Sequence, residues 1–175
     1  IEFVLRKKYA KNWQLQASAT YGRTKTKLPI EAVNDPNNRE FNDGVPMWND
    51  SPLIIKIVGS YDLPLGFNIG GFFNYRTGFP SQRYFRYSGL NQGRINVETQ
   101  EYGSERYPNQ LIVDFRLSKV FNLDKYGKVE VMADVFNLLN SNVTQSWDEE
   151  SWSGYRSIYS VLPPRILRLG LKWNF

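Results

Sequence analysis

The stretch Trp13-Gln14-Leu15-Gln16-Ala17-Ser18-Ala19-Thr20-Tyr21 decides the fold. Its odd positions are apolar and its even positions polar, and Gly22 continues the polar set. A strand points successive side chains to opposite faces, so period two puts Trp13, Leu15, Ala17, Ala19 and Tyr21 on one side. A helix, with 3.6 residues per turn, would lose that phase within nine residues. The segment is therefore a strand with one apolar and one polar face.

Six further stretches behave in the same way. Leu167, Leu169, Leu171, Trp173 and Phe175 oppose Arg168, Gly170, Lys172 and Asn174. Val129, Val131, Ala133 and Val135 oppose Lys128, Glu130 and Asp134. Leu111, Val113, Phe115 and Leu117 oppose Asp114, Arg116 and Ser118. Leu53, Ile55, Ile57, Gly59 and Tyr61 oppose Lys56, Ser60 and Asp62. Phe67, Ile69, Gly71, Phe73 and Tyr75 oppose Asn68, Asn74 and Arg76. The first stretch, Ile1 to Tyr9, has a weaker pattern. The expectation is an all-β chain with about seven antiparallel strands.

The connections alternate strictly between short and long. Tyr9 to Asn12, Leu63 to Gly66 and Asn122 to Gly127 are hairpin-length and carry Pro, Gly, Asn or Asp where turns need them. Leu28 to Asp50, Gly78 to Pro108 and Ser141 to Pro163 are long. All long loops therefore leave one end of the sheet. Loops of this length are uncommon in compact soluble domains, whereas outer-membrane β-barrels combine short turns at one end with long loops at the other. Nine residues from Trp13 to Tyr21 match the roughly 9–11 that a tilted membrane strand needs. Trp13, Tyr21, Tyr61, Phe67, Tyr75, Trp173 and Phe175 end the apolar faces, as interfacial girdles do. Seven strands cannot close a bacterial barrel, which has an even number and leaves no edge in lipid. With Ile1 at the start and no signal peptide, the chain reads as the C-terminal part of a larger barrel. A soluble carbohydrate-binding β-sandwich is the competing fold, since its strands alternate as well.

Composition removes other classes. Neither Cys nor His is present, which excludes a disulfide framework, a thiol nucleophile and His-based catalysis or metal ligation. The best apolar run, Leu53 to Val58, is interrupted by Lys56 and falls far short of the roughly 18–20 residues of a membrane helix. The pI near 9.4 suggests nucleic acid, but the charge is wrongly distributed. Of 22 Lys and Arg and 17 Asp and Glu, the long loops hold 6 and 11, leaving 16 against 6 in strands and turns. No single basic groove results, so no nucleic-acid partner is expected. No carboxylate pair marks a cleft, and the chain reads as a non-enzyme with no catalytic residue, metal or cofactor.

Several motifs resemble a known family. They are Gly59-Ser60-Tyr61-Asp62-Leu63-Pro64-Leu65-Gly66-Phe67, then Tyr75-Arg76-Thr77-Gly78-Phe79-Pro80, then Val113 to Phe121 (VDFRLSKVF), then Asp134 to Asn140 (DVFNLLN), and the closing Pro164 to Phe175 (PRILRLGLKWNF). Together they are similar to the C-terminal end of TonB-dependent outer-membrane receptors, most closely the Oar-like branch with a carboxypeptidase-regulatory-type N-terminal domain. The resemblance covers nearly the whole chain, residues 1–175. It implies a 22-stranded barrel closed by an N-terminal plug, located in the outer membrane of a Gram-negative bacterium. It further implies ligand uptake driven by TonB. The implied partners are outer-membrane lipids, the barrel-assembly machinery, the plug and TonB through the rest of the protein, and an imported ligand. A passive porin or fatty-acid-type channel is the second reading.

Individual residues acquire expected roles. Leu169, Leu171, Trp173 and Phe175 resemble the terminal signal read during barrel insertion, and equally form the last lipid-facing strand. Arg23, Lys25 and Lys27 continue the lipid-facing parity beyond Tyr21, and Arg165 does so at the top of the last strand. Cations cost about 2–4 kcal/mol at mid-bilayer and close to nothing at the interface, so these four are expected above the outer leaflet, meeting lipopolysaccharide phosphates or water. Lys56, Asp62, Arg76, Asp114, Arg116, Lys128, Glu130 and Asp134 are expected to face the lumen, pairing across strands or touching a plug, with a ligand path as the sharper reading. The first long loop has a net charge of −4, and Asp35-Pro36-Asn37-Asn38-Arg39 begins like a calcium loop but puts Arg39 where a ligand belongs. Asp148-Glu149-Glu150 between Trp147 and Trp152 could hold a cation or a sugar, with a solvated loop as the plainer expectation. Tyr84, Phe85, Arg86 and Tyr87 form an aromatic, basic patch of open role.

Overall fold

The computed structural model of the chain describes residues 1–28, 42–91 and 93–175. The calcium-like stretch Asp35 to Arg39 lies outside the described residues. Seven strands form one antiparallel meander: β1 (Glu2–Ala10), β2 (Trp13–Tyr21), β3 (Leu53–Asp62), β4 (Phe67–Arg76), β9 (Gln110–Asn122), β10 (Lys128–Phe136) and β13 (Ile166–Asn174), each paired to the next.

The register carries the period-two pattern across the whole sheet. Trp13 pairs with Tyr61, Tyr61 with Ile69, Ile69 with Leu117, Leu117 with Ala133 and Ala133 with Leu169. Directly opposed residues share a face, so the apolar positions of all seven strands form one continuous surface. Its short-turn end carries Trp13, Tyr61, Phe67, Phe121 and Trp173, and its long-loop end carries Tyr21 and Tyr75. Leu167, Leu169 and Leu171 are 65%, 75% and 71% exposed. Among the described residues the only buried apolar side chains are Pro80, Tyr102 and Leu162, all in the long connections. Among the described residues no second sheet covers either face, since the remaining sheets are two-stranded ladders within the loops. That removes the sandwich, whose core needs two facing layers.

β9 ends at Asn122, the first residue of the expected turn, and Phe121 restores the apolar parity that Lys119 interrupts. β1 contains a bulge between Lys7 and Ala10. The extra residue sends Tyr9 toward the polar side, where its hydroxyl donates to Asp62 Oδ2 at 2.5 Å, and it accounts for the weak alternation there.

The short connections are tight. Lys11 and Asn12 both have positive φ (54° and 67°), the backbone that a two-residue type I′ hairpin requires. Gly127 closes the β9–β10 turn with φ 88°. A Cβ at that position would lie 2.0 Å from the Asn174 carbonyl oxygen, so only glycine lets this turn approach the end of β13.

The long connections are themselves structured. Within 78–108, β5 (Pro80–Ser81) pairs with β8 (Glu105–Arg106), and β6 (Tyr84–Leu90) forms a hairpin with β7 (Gly93–Glu98). Within 141–163, β11 (Thr144–Trp147) pairs with β12 (Ile158–Val161).

Candidate functional site

Chemistry-bearing residues gather in two places, the polar face of the sheet and the cap formed by the long loops. On the polar face Asp134 is central. Register places Arg116 opposite it on β9 and Arg168 opposite it on β13. Arg116 donates to its carboxylate at 2.5 and 3.1 Å, and Arg168 at 2.9 and 2.7 Å. Asp134 is 6% exposed, and a carboxylate so enclosed is tolerable because two guanidinium groups satisfy it.

All eight predicted polar-face residues fall on that face, but they do not converge. Arg76 donates to Gln110 Oε1 at 3.0 Å and lies over the Phe79 ring. Asp114 accepts the Asn137 backbone N–H at 2.9 Å. Asp62 is held by Tyr9 and Asn68. Lys56 stands opposite Asn74, Lys128 opposite Asn122 and Asn174, and Glu130 opposite Val120 and Lys172. Arg168 belongs with Arg116 and Asp134, although the sequence pattern shows it only as one more polar-parity residue.

In the cap, Asp50 ties the first long loop to the second. It is 1% exposed. Arg106 reaches its carboxylate at 2.5 Å and its carbonyl at 2.8 Å, and also donates to the Gly78 carbonyl at 3.0 Å. The Thr24 backbone N–H donates to Asp50 Oδ1 at 2.7 Å, and Arg23 lies 3.7 Å away.

The second and third loops are joined as closely. Glu149 Oε1 accepts the Tyr107 hydroxyl at 2.9 Å and the Gln82 N–H at 3.3 Å. Glu150 pairs with Arg86 at 3.1 Å and Glu105 with Arg156 at 2.7 Å. Tyr107 and Trp147 stack with centroids 4.4 Å apart. Burial, with Glu149 close by, pushes the Tyr107 hydroxyl far above its ordinary value. Glu149 and Glu150 of the acidic triplet are thus only partly exposed and each has a protein partner. The predicted aromatic patch divides: Tyr84 and Arg86 face the third loop, while Phe85 and Tyr87 are about half exposed.

Asn137, the Asn of the FNLLN motif, closes the neck of the third loop. At φ 50° it donates to the Ser141 and Pro163 carbonyls at 3.0 and 2.7 Å and accepts the Ser141 N–H at 2.9 Å. Asn is among the few residues that adopt this backbone readily, and here its amide serves as a side-chain staple.

The four predicted lipid-surface cations lie at the long-loop end. The strand stops at Tyr21, so Arg23, Lys25 and Lys27 follow no strand parity. Arg23 turns toward Asp50, Lys25 makes an isolated bridge to Pro46, and Lys25, Lys27 and Arg165 are exposed. At the other end, Trp173 packs edge-on to Phe175 at 5.5 Å and donates to the Tyr126 carbonyl at 2.9 Å. Leu169, Leu171 and Trp173 share the apolar face. Two cations on that face escaped the pattern reading. Lys7 lies 3.9 Å from the Trp13 ring centroid, and Lys119 lies 4.3 Å from that of Phe67.

No family model and no curated protein matches the chain. Among solved structures it is similar to the ferripyoverdine receptor of the outer membrane of Pseudomonas aeruginosa bound to ferripyoverdine, at 14% identity and TM-score 0.58 over 99% of this chain and 19% of that one. It is also similar to the outer membrane transporter YddB from Escherichia coli, at 17% identity and TM-score 0.61 over 99% of this chain and 24% of that one. The likeness is one of fold. The chain has the fold of a segment of outer-membrane β-barrel wall, and it spans about a fifth to a quarter of the length of these two proteins.

The cap carries a pH dependence with a definite sign. The Glu150 backbone N–H donates to Asp148 Oδ1 at 3.1 Å and the Trp152 indole N–H to Oδ2 at 2.7 Å, and these bonds hold the Asp148 carboxyl below its ordinary value. A lowered folded-state value gives stabilisation that is complete above the unfolded value, about 3.9 for Asp, and lost as pH falls through the lowered one. Acidification below about pH 4 should therefore release Trp152, read as a fluorescence shift. Asp148→Asn should remove that step while leaving later acid unfolding in place.

Proposed function

We propose that the chain is the C-terminal barrel wall of a TonB-dependent receptor of the Oar-like branch, working in the outer membrane of a Gram-negative bacterium. One observation carries the reading. Seven antiparallel strands keep a single apolar, aromatic-ended face in register, while every long connection leaves the same end. Two free edges, on β1 and β13, can lie in lipid only when further strands pair with them. The described ladder thus fits a larger barrel and no smaller object. The likeness to two outer-membrane transport proteins supports the same fold.

In this reading the interlocked loops form part of the outer vestibule where a ligand is captured. The polar face, with Asp134, Arg116, Arg168 and the scattered charges beside them, lines the lumen against a plug that TonB displaces. Arg23, Lys25, Lys27 and Arg165 meet lipopolysaccharide phosphates. Leu169, Leu171, Trp173 and Phe175 present the terminal strand to the assembly machinery. The last role rests on an uninterrupted apolar row ending in an exposed aromatic. Deleting Phe175 should lower the yield of heat-modifiable folded barrel in outer membranes, and an unchanged yield would refute it.

The transporter and the passive channel differ in whether the lumen is closed. Liposomes containing the intact barrel should not swell in an isotonic arabinose solution if a plug fills it. Rapid swelling would favour the porin. Changing Arg23, Lys25 and Lys27 together to Ser should reduce the lipopolysaccharide that copurifies with the barrel. Equal amounts on the wild-type and triple-variant proteins would sink that contact.

A further inference from the structure

The apolar face has a dent that the strand pattern does not call for. Lys7, Leu15, Gly59, Gly71 and Phe115 form one row across β1, β2, β3, β4 and β9. The two glycines stand side by side in it, so two adjacent side chains are missing between Leu15 and Phe115. With Trp13, Tyr61 and Ile69 of the next row, they line a groove of about 330 Å³.

Gly59 has a packing reason, since a Cβ there would lie 3.1 Å from both the Gln14 carbonyl oxygen and Leu15 Cδ1. Gly71 has none. Its φ is not positive, and a Cβ would meet nothing nearer than the Asp114 carbonyl oxygen at 4.0 Å, in ordinary contact. A glycine inside a strand weakens it, and one without a bulge or crowding marks a place where something else comes close.

Beyond Leu15, which borders the groove, the same row ends in a charge that lines the adjoining hollow. Lys7 shares the apolar face and holds its ammonium over the Trp13 ring, donating to the Ala10 carbonyl at 2.8 Å and the Trp13 carbonyl at 3.0 Å, with a longer 3.4 Å contact to Lys8. An ammonium has three donors, so one remains weakly used. No Asp or Glu falls on the apolar face of any of the seven strands. The rim is therefore cationic and uncompensated, beside a slot lined by apolar side chains. It also lies one row from Trp13 and Tyr61, at the short-turn end, where a bilayer's headgroups would begin.

We infer that this groove is a binding site for one anionic glycerophospholipid of the periplasmic leaflet, with an acyl chain lying over Gly59 and Gly71 and the phosphate at Lys7. Apolar slot and cationic rim together match a single amphiphile of that charge. The inference rests on the reading that the apolar face meets the bilayer, and the two can fail separately. Heat-modifiability and a requirement for detergent report on the bilayer reading, and lipid retention reports on the site.

Native mass spectrometry of the intact barrel in detergent, titrated with phosphatidylglycerol or phosphatidylcholine, tests it. Gly71→Val fills the groove with a residue that strands favour, and Gly71→Ala is a milder version that fits without movement. The expected result is a retained phosphatidylglycerol adduct on the wild type that is lost in Gly71→Val and weakened in Gly71→Ala. Lys7→Gln should abolish the preference for phosphatidylglycerol over phosphatidylcholine. Equal retention by folded wild type and both Gly71 variants would overturn the groove, and an unchanged headgroup preference in Lys7→Gln would overturn the phosphate site.

Discussion

The whole molecule depends on one constraint: strands with no core beneath them must satisfy their backbone hydrogen bonds from one another. A meander does this strand by strand, each ladder serving the next. Because side chains alternate with period two, a slip of one residue in any ladder would exchange its two faces. Register is therefore fixed more strongly here than in a soluble sheet with two similar faces. The row from Trp13 through Tyr61, Ile69, Leu117 and Ala133 to Leu169 is the visible result. The turn residues serve it as well. Gly127 fits only because it has no side chain to strike Asn174, and Lys11 and Asn12 adopt the backbone that keeps β1 and β2 in phase.

A sheet that turns its apolar side outward has no hydrophobic core, and its order has another source. Among the described residues the buried side chains are mainly polar: Asp50, Ser81, Gln110, Ser118, Asp134, Asn137 and Asp148. Asp50 and Asp134 are enclosed by donors drawn from distant parts of the chain, and Asp148 by donors two and four residues on. Asp50 joins two long loops through Arg106, Asp134 joins three strands through two arginines, and Asp148 folds the third loop around Trp152. Removing one partner from such a group leaves a carboxylate short of the donors that offset its enclosure. Polar bonds thus take over in the cap the role that apolar burial has in a soluble domain.

Legibility followed the same division. The strands were readable because one face of the sheet keeps a strict apolar alternation, and all seven lay within a few residues of their expected bounds. β1 had the weakest pattern because Lys7 and the bulge broke the parity. The loops were hardly readable. Glu149 and Tyr107 are 42 residues apart and meet only because the sheet brings the second and third connections to one edge. Nothing near Asn137 in sequence announces that its amide closes a neck against Pro163.

The sequence by itself determined the seven strands of the main sheet, its two faces, the single end from which the loops emerge and the absence of thiol or imidazole chemistry, because all of these follow from local alternation and composition. Tertiary structure decided which charges meet. Arg168 joins Asp134 through a neighbouring strand, Arg23 leaves the lipid-facing parity to turn toward Asp50, and Gly59 and Gly71 become one groove only when β3 and β4 pair in register. The physical reason is that a charge pair or a groove is a relation between segments, set by register and turn geometry, and no local pattern encodes it.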